Sequence, residues 1–329
     1  MGTQRYLLSK VGQLLLTLVF VLTIAFFMFR VWMPGDPVKT FARSTGAHYS
    51  EEQLRALTHD WGLDRPLFPN QYVDFMRGSL AFNFGVSTVL QPGVPVSSLF
   101  WQNMGRSAVL IVTSTVASIA IGVVLGIKGG WKRRSALDNS SMATSMVLYA
   151  MPEFVLGMIL LLLLSNLVHL FPSGGYQTFG RTYTGVDKIV DIAKHMALPW
   201  LTLTLAYVGE FYLVMRSSLL DVLGEEYISL ARAKGVREKF VLRRHAVPNA
   251  LLPTITLVAL SFGFILGGVL TVELVFSYPG VGKLSVDALT ARDIPMLQAT
   301  FIISVIAVLV ANLIADLLYG YLDPRVRRA

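Results

Sequence analysis

Six stretches of predominantly apolar sequence, at about 10–31, 107–128, 142–168, 198–217, 251–275 and 296–320, constrain this chain more than any other feature. Each approaches or exceeds the roughly 20 residues an α-helix needs to cross the hydrocarbon core of a bilayer. Inside lipid every backbone N–H and C=O must be satisfied by the protein itself, and a helix does this within one segment. The expected fold is therefore all-α: a polytopic integral membrane protein with six transmembrane helices. Composition agrees, since 54% of the residues are apolar and 15% are charged, against about 25% charged in a soluble domain. The first stretch follows Arg5 and Lys10 but ends in Phe29, Arg30, Val31 and Trp32. With no small-residue cleavage site there, it reads as a retained helix and not a signal peptide.

The net charge of +8 does not mark a nucleic-acid binder, because the basic residues are strewn between apolar runs instead of gathered on one soluble face. With no cysteine, the chain has no disulfide, thiolate metal site or cysteine nucleophile. His48, His59, His169, His195 and His245 lack HxxxH or HExxH spacing, so no metal site and no cofactor is expected. Lys and Arg near span ends tend to stay in the cytoplasm. Lys128, Lys132, Arg133 and Arg134 follow the second run, Arg232 to Arg244 follow the fourth, and Arg325, Arg327 and Arg328 end the chain. Both termini and these two loops are expected inside, and the segment 33–105 outside as a folded cap.

The most informative loop runs from Glu225 to Pro253, EEYISLARAKGVREKFVLRRHAVPNALLP. Tyr227, Leu230, Ala231 and Lys234 fall at helical spacing and give a narrow apolar stripe with polar flanks. Gly235 can take the positive φ that ends a helix, and Val236, Phe240 and Val241 begin a second amphipathic turn. A helix, a glycine corner and a second helix suit docking into a groove of a soluble partner. A basic amphipathic segment lying on anionic lipid headgroups fits the same residues.

At this point the sequence resembles the integral permeases of binding-protein-dependent ABC importers, in particular the dipeptide and oligopeptide group. Setting the glycine of the general EAA signature on Gly235 puts Ser229, Leu230 and Ala231 on the triplet, so the signature glutamate is missing. The ARAKG core at Ala231 to Gly235, His245-Ala246 and Asn249 to Pro253 follow the peptide group. Pro34-Gly35-Asp36-Pro37, Pro152 with Phe154, Pro279-Gly280, Arg292-Asp293 with Pro295, and Leu322-Asp323-Pro324-Arg325 extend the likeness along nearly the whole chain. Asn83 to Ser87 departs from the GDLGxS-like sequence usual at that place.

The resemblance implies a type I importer permease. Residues 1–32 would hold the cytoplasmic N-terminus and first helix, and 33–105 the external cap. Residues 106–320 would form the core with a cytoplasmic coupling loop at about 218–250, and 321–329 the tail. Its partners would be a second homologous permease, two cytoplasmic ATPases, an external binding protein, membrane lipid and a peptide in transit, with nickel or oligosaccharide as other cargoes of the class. Tyr227, Leu230, Ala231, Arg232, Ala233, Lys234, Gly235 and His245 would form the ATPase-coupling site.

Pro279 to Lys283 imitates a phosphate-binding loop, but Ser277 stands where the first glycine belongs and Leu284 where Ser or Thr is needed. Any ATP is expected on another chain, and no enzymatic activity on this one. Glu153, Glu210, Glu273 and Asp316 lie in or beside apolar runs, where a charge is costly unless it meets protein or water. They fit a proton relay, as in a secondary transporter, or structural carboxylates, and the resemblance favours the latter. Gly122 with Gly126 and Gly263 with Gly267 have the spacing for close helix approach. Gly263, Gly267 and Gly268 could also serve gating.

Overall fold

The computed structural model describes residues 3–32, 36–46 and 48–322, and its named elements are all helical. In chain order they are α1 (Thr3–Phe27), α2 (Pro37–Ser44), α3 (Glu51–Asp60), α4 (Tyr72–Leu80), α5 (Val96–Trp131), α6 (Ala136–Ala150) and α7 (Glu153–Leu160). There follow α8 (Gly185–Leu223), α9 (Glu226–Ala233), α10 (Glu238–Phe240), α11 (Val247–Val275), α12 (Val281–Ala291) and α13 (Ile294–Leu322). Wider helical turns continue α1 through Met28–Trp32, α7 through Leu161–Leu167 and α10 through Val241–Ala246. Two compact units result, one made of residues 1–106 and 280–329, the other of 107–279.

Among the described residues four helical stretches are long and apolar enough to cross a membrane: Leu8–Trp32, Val96–Trp131, Gly185–Leu223 and Ile294–Ile314. The count rises to five when Ala136–Ala150 and Glu153–Leu167, bent by 108° at the break between them, are taken as one broken span. The fifth apolar run of the sequence coincides with α11, much of whose centre has side chains outside the described residues. Among the described residues the structure thus gives four such helices, or five with the bent pair, against the six expected, and the remaining run falls on α11, which is only partly described.

The bent pair departs from the single straight span expected at 142–168. Pro152 is the cause, because a proline ring disfavours helical torsions in the residue before it. Met151 accordingly sits at φ −87° and ψ 128°, and α7 starts afresh behind Pro152. The fourth run also differs, since α8 extends well past both ends of 198–217. Asp187, Lys188, Asp191 and Lys194 lower the hydropathy there without breaking the helix.

In the first unit, local chemistry fixes the short helices. Asp36 caps α2 by accepting from the Val38 N–H at 3.0 Å, and Pro37 occupies the first helical position, where its missing N–H costs nothing. Ser50 and Gln53 form a reciprocal capping box on α3, with bonds of 3.2 and 2.8 Å. Leu22 and Phe26 of α1, Phe75 of α4, Phe100 of α5 and Met296 and Ala299 of α13 share one buried core. The cap segment therefore folds onto α1 and α13 and not only onto itself.

In the second unit, α5 lies against α8 along a glycine track. A Cβ on Gly122 would come within 2.6 Å of the Phe211 Cβ, and one on Gly126 within 2.8 Å of the Met215 Cβ. Gly129 and Gly130 continue the track toward Tyr212 and Leu219. The spacing read from the sequence at Gly122 and Gly126 is thus a packing feature. Gly263, Gly267 and Gly268 lie on α11, but their surroundings fall outside the described residues.

Candidate functional site

The loop from Glu225 onward folds as a helix, a glycine corner and a second helical turn. α9 ends in the hydrogen-bond pattern of an αL stop: the Gly235 N–H donates to the Arg232 carbonyl at 2.9 Å and the Val236 N–H to the Ala231 carbonyl at 3.2 Å. Gly235 takes φ +76°, and a Cβ there would meet nothing within 4 Å. Its constraint is torsional, since a side chain has room but not the backbone conformation.

Behind the corner, Ile228 and Ala231 of α9 are buried together with Met215 and Leu219 of α8, Val241, Ala246 and Ala250. Val123, Ile127 and Trp131 of α5 pack against this cluster. Arg232 reaches Glu238 across the corner, Nε to Oε1 at 3.0 Å and Nη2 to Oε2 at 3.4 Å, and its guanidinium lies 6.0 Å from the Trp131 ring centre. Tyr227 Oη accepts from Asn249 Nδ2 at 3.1 Å, and the same Nδ2 donates to the His245 carbonyl at 2.8 Å. α9 is thereby fastened to the end of α5, to α8 and to the start of α11.

These contacts bring together all eight residues expected at the coupling site but divide them by face. Tyr227, Leu230 and Phe240 are 40%, 56% and 52% exposed, and Arg232, Ala233 and Lys234 are also exposed. Ala231 is only 8% exposed and points into the cluster, and His245 is half-buried. The stripe read as Tyr227, Leu230, Ala231 and Lys234 is therefore not one outward face. Ile228, absent from that stripe, is fully buried and shares the inner face with Ala231. Asp316 lies on α13, and its side chain falls outside the described residues.

Two further polar centres went unassigned in the sequence. Asp138, buried at the start of α6, receives Arg216 of α8 as a fork, Nε to Oδ1 at 2.6 Å and Nη2 to Oδ2 at 2.8 Å. The Tyr212 hydroxyl donates to Oδ1 at 3.0 Å and the Arg134 N–H to Oδ2 at 2.9 Å. An arginine at the end of an apolar run demands such a partner, and that was the available signal.

Asp293, in the first unit, is completely buried before α13. Ser87 Oγ donates to its Oδ2 at 2.5 Å, Thr88 Oγ1 to Oδ1 at 3.1 Å, and the N–H groups of Val89 and Leu90 to Oδ2 at 3.0 Å each. The Thr88 N–H lies 3.1 Å from both oxygens, and the Met296 N–H donates to Oδ1 at 3.3 Å. Burial alone would raise the carboxyl pKa, but the donors from Ser87 and the Thr88 to Leu90 backbone outweigh it and hold the pKa below the ordinary value.

Two of the four carboxylates singled out in the sequence, Glu153 and Glu273, have hydroxyl partners. Glu153 accepts from the Tyr207 hydroxyl at 2.8 Å, and fully buried Glu273 accepts from Ser107 Oγ at 2.5 Å. Among the described residues no three His, Cys, Asp or Glu side chains converge as a metal ion would require. What the geometry offers is a short helix whose inner face packs on α5, α8 and α11 and whose outer face exposes Tyr227 and Leu230 among polar residues.

Residues 118–328 match the family described as binding-protein-dependent transport system inner membrane component, and residues 3–98 match the N-terminal family of such membrane components. The chain belongs to this family. It is a multi-pass membrane component of a transport system and not an enzyme. Among similar proteins, the oligopeptide transport system permease protein AppB of Bacillus subtilis is 35% identical over 93% of this chain and 94% of its own length. The dipeptide transport system permease protein DppB of Escherichia coli strain K12 is 32% identical over 98% of each chain. The dipeptide permease DppB of Lactococcus lactis is 32% identical over 98% of this chain and 99% of its own. The motifs that suggested an importer permease thus sit in a chain similar to such proteins from end to end.

Proposed function

We propose that this chain is a permease subunit of an ATP-driven importer of di- or oligopeptides. It forms half of the translocation pathway beside a second homologous subunit. Two cytoplasmic ATPases and an external binding protein complete the assembly. Peptide as cargo is supported by the end-to-end similarity to oligopeptide and dipeptide permeases. The basic loops around Lys128 to Arg134 and Arg232 to Arg244, with both termini, face the cytoplasm, and the cap at 33–105 faces outward.

The observation that carries the coupling role is the two-sidedness of α9. Its inner face is buried against α8, α10 and α11, while Tyr227 and Leu230 stand exposed beside Phe240. An ATPase groove closing on the outer face would displace the inner face and the helices with it. Such displacement requires that nucleotide binding favour one arrangement over the other, since equal affinity shifts nothing.

The test is uptake of a labelled dipeptide by the assembled complex in vesicles. Uptake should stop on ATP depletion and survive a protonophore. Leu230→Asp, on the exposed face, should leave the subunit folded while ATPase retention and substrate-stimulated hydrolysis fall about tenfold or more. Uptake that persists without ATP and is lost with protonophore would replace this function with proton-coupled transport.

A further inference from the structure

A cavity of about 420 Å³ in the first unit is lined by Phe29 and Arg30 at the end of the first span, by the cap and by the start of α13. Its size falls within the roughly 300–1,000 Å³ of small-ligand sites. Arg30 lines it, and the Nε of that side chain is sealed from solvent with no hydrogen-bond partner among the described residues, which leaves the terminal guanidinium nitrogens as the donors a ligand would meet. Such an orphan is rare, because a buried donor left unpaired forfeits its hydration without return. The cavity also carries Asp60 and Asp74, both exposed, together with Gln298, half-buried. Asp74 is already paired with Arg65 at 3.3 Å. Arg30 and Asp60 remain as a cation and an anion in one cavity, with no ion pair to either among the described residues.

We propose that this cavity is a binding site for a small zwitterion, its carboxylate held by Arg30 and its ammonium facing Asp60. A guanidinium matches a carboxylate as a planar fork. A simple anion would meet the uncompensated charge of Asp60 and a simple cation that of Arg30, whereas a zwitterion satisfies both. Trp61, Phe75 and Phe84 give the walls apolar surface for the body of such a molecule. The choice of a peptide as probe rests on the function proposed above, while the charges required of the ligand rest on the cavity alone.

The experiment uses the purified full chain in detergent without its partners, so that its outcome is separable from that of the transport assay. Binding of alanyl-alanine is read by tryptophan fluorescence and calorimetry beside N-acetyl-alanyl-alanine and alanyl-alanine amide. Blocking either end should weaken binding about tenfold or more, the scale of a charge-assisted hydrogen bond. Arg30→Gln should abolish discrimination against the amide yet keep discrimination against the acetylated peptide, and Asp60→Asn should do the reverse. Asp60 is exposed, so its variant remains a test if Arg30→Gln does not fold. No saturable binding, or equal affinity for free and blocked peptides, would overturn the proposal. Displacement by phosphatidylethanolamine vesicles with no response to any peptide would also overturn it, in favour of a lipid site.

Discussion

Two helices of this molecule stop in the same way and are held by opposite means. α9 ends at Gly235 and α12 at Arg292, each in a left-handed conformation, with φ of +76° and +59°. In each, the αL residue donates back three positions and its successor five: Gly235 and Val236 to Arg232 and Ala231, Arg292 and Asp293 to Leu289 and Ala288. At the first corner glycine removes the steric penalty, and the corner stands exposed. At the second an arginine bears that penalty, roughly 1–2 kcal/mol, and the next residue is locked by the loop at Ser87 to Leu90. The exposed corner is thus fixed by its own backbone. A corner inside a packed unit is fixed by a carboxylate whose partners lie more than 200 positions away, 206 in the case of Ser87.

The sharpest way to break this contrast is Asp293→Ala, which strips several buried donors of one shared acceptor. About 3–5 kcal/mol of stability should be lost, read as thermal unfolding of the purified subunit by tryptophan fluorescence. A loss under about 0.5 kcal/mol would mean the cradle is incidental. The same carboxylate gives a pH signature. Because its folded pKa lies below the unfolded value of about 3.9, its contribution is complete above that value and disappears as pH falls through the lowered folded pKa. The parent should therefore shed stability below about pH 4 that Asp293→Asn does not possess at any pH.

Next in size is Ala231→Asp, which puts a carboxylate among Ile228, Met215 and Val241. The cost should be about 2–3 kcal/mol, with ATPase coupling lost as a consequence. Unchanged unfolding with lost coupling would mean that Ala231 meets a partner directly. Gly235→Val follows, at roughly 1–3 kcal/mol of torsional strain confined to the corner. Membrane insertion and subunit pairing should survive while substrate-stimulated hydrolysis weakens, and Gly235→Asn should recover most of it. The smallest effect is expected of Arg292→Gly, a change within about 1 kcal/mol in either direction, since relief at the corner is offset by a freer unfolded chain. A larger loss would show that the Arg292 side chain, not its backbone, sets the corner.

The glycine corner was legible because its determinant is local: one residue type, one torsion and a helical stretch before it. The cradle was not, although Arg292-Asp293 with Pro295 stood out as a motif, because its donors come from residues far away in the chain. Facing was the other casualty. In a helix of barely two turns, Tyr227 with Leu230 and Ile228 with Ala231 are equally good stripes, and only the packing of Met215, Val241 and Ala246 chooses between them. Apolar length located the long helices but not the bend at Pro152, since hydropathy sums side chains while the bend is a backbone effect. Asp138 and Arg216 were each visible as charges, but nothing in their spacing made them a pair.

The bend at Met151-Pro152 has a consequence for hydration. Pro152 brings no N–H and Met151 is extended, so carbonyls in the last turn of α6 lose the donors a continuing helix would provide. Hydrocarbon cannot replace those donors, and irregular backbone at membrane depth persists only against protein or a water-filled space. With apolar helix on either side, the bend can lie at such depth only if it is turned away from the acyl chains. Glu153 and Tyr207, hydrogen-bonded at 2.8 Å beside it, make the same demand. With the bend at membrane depth, any assembly containing this chain must shelter that point, either with a neighbouring helix or with a thread of solvent reaching into the bilayer.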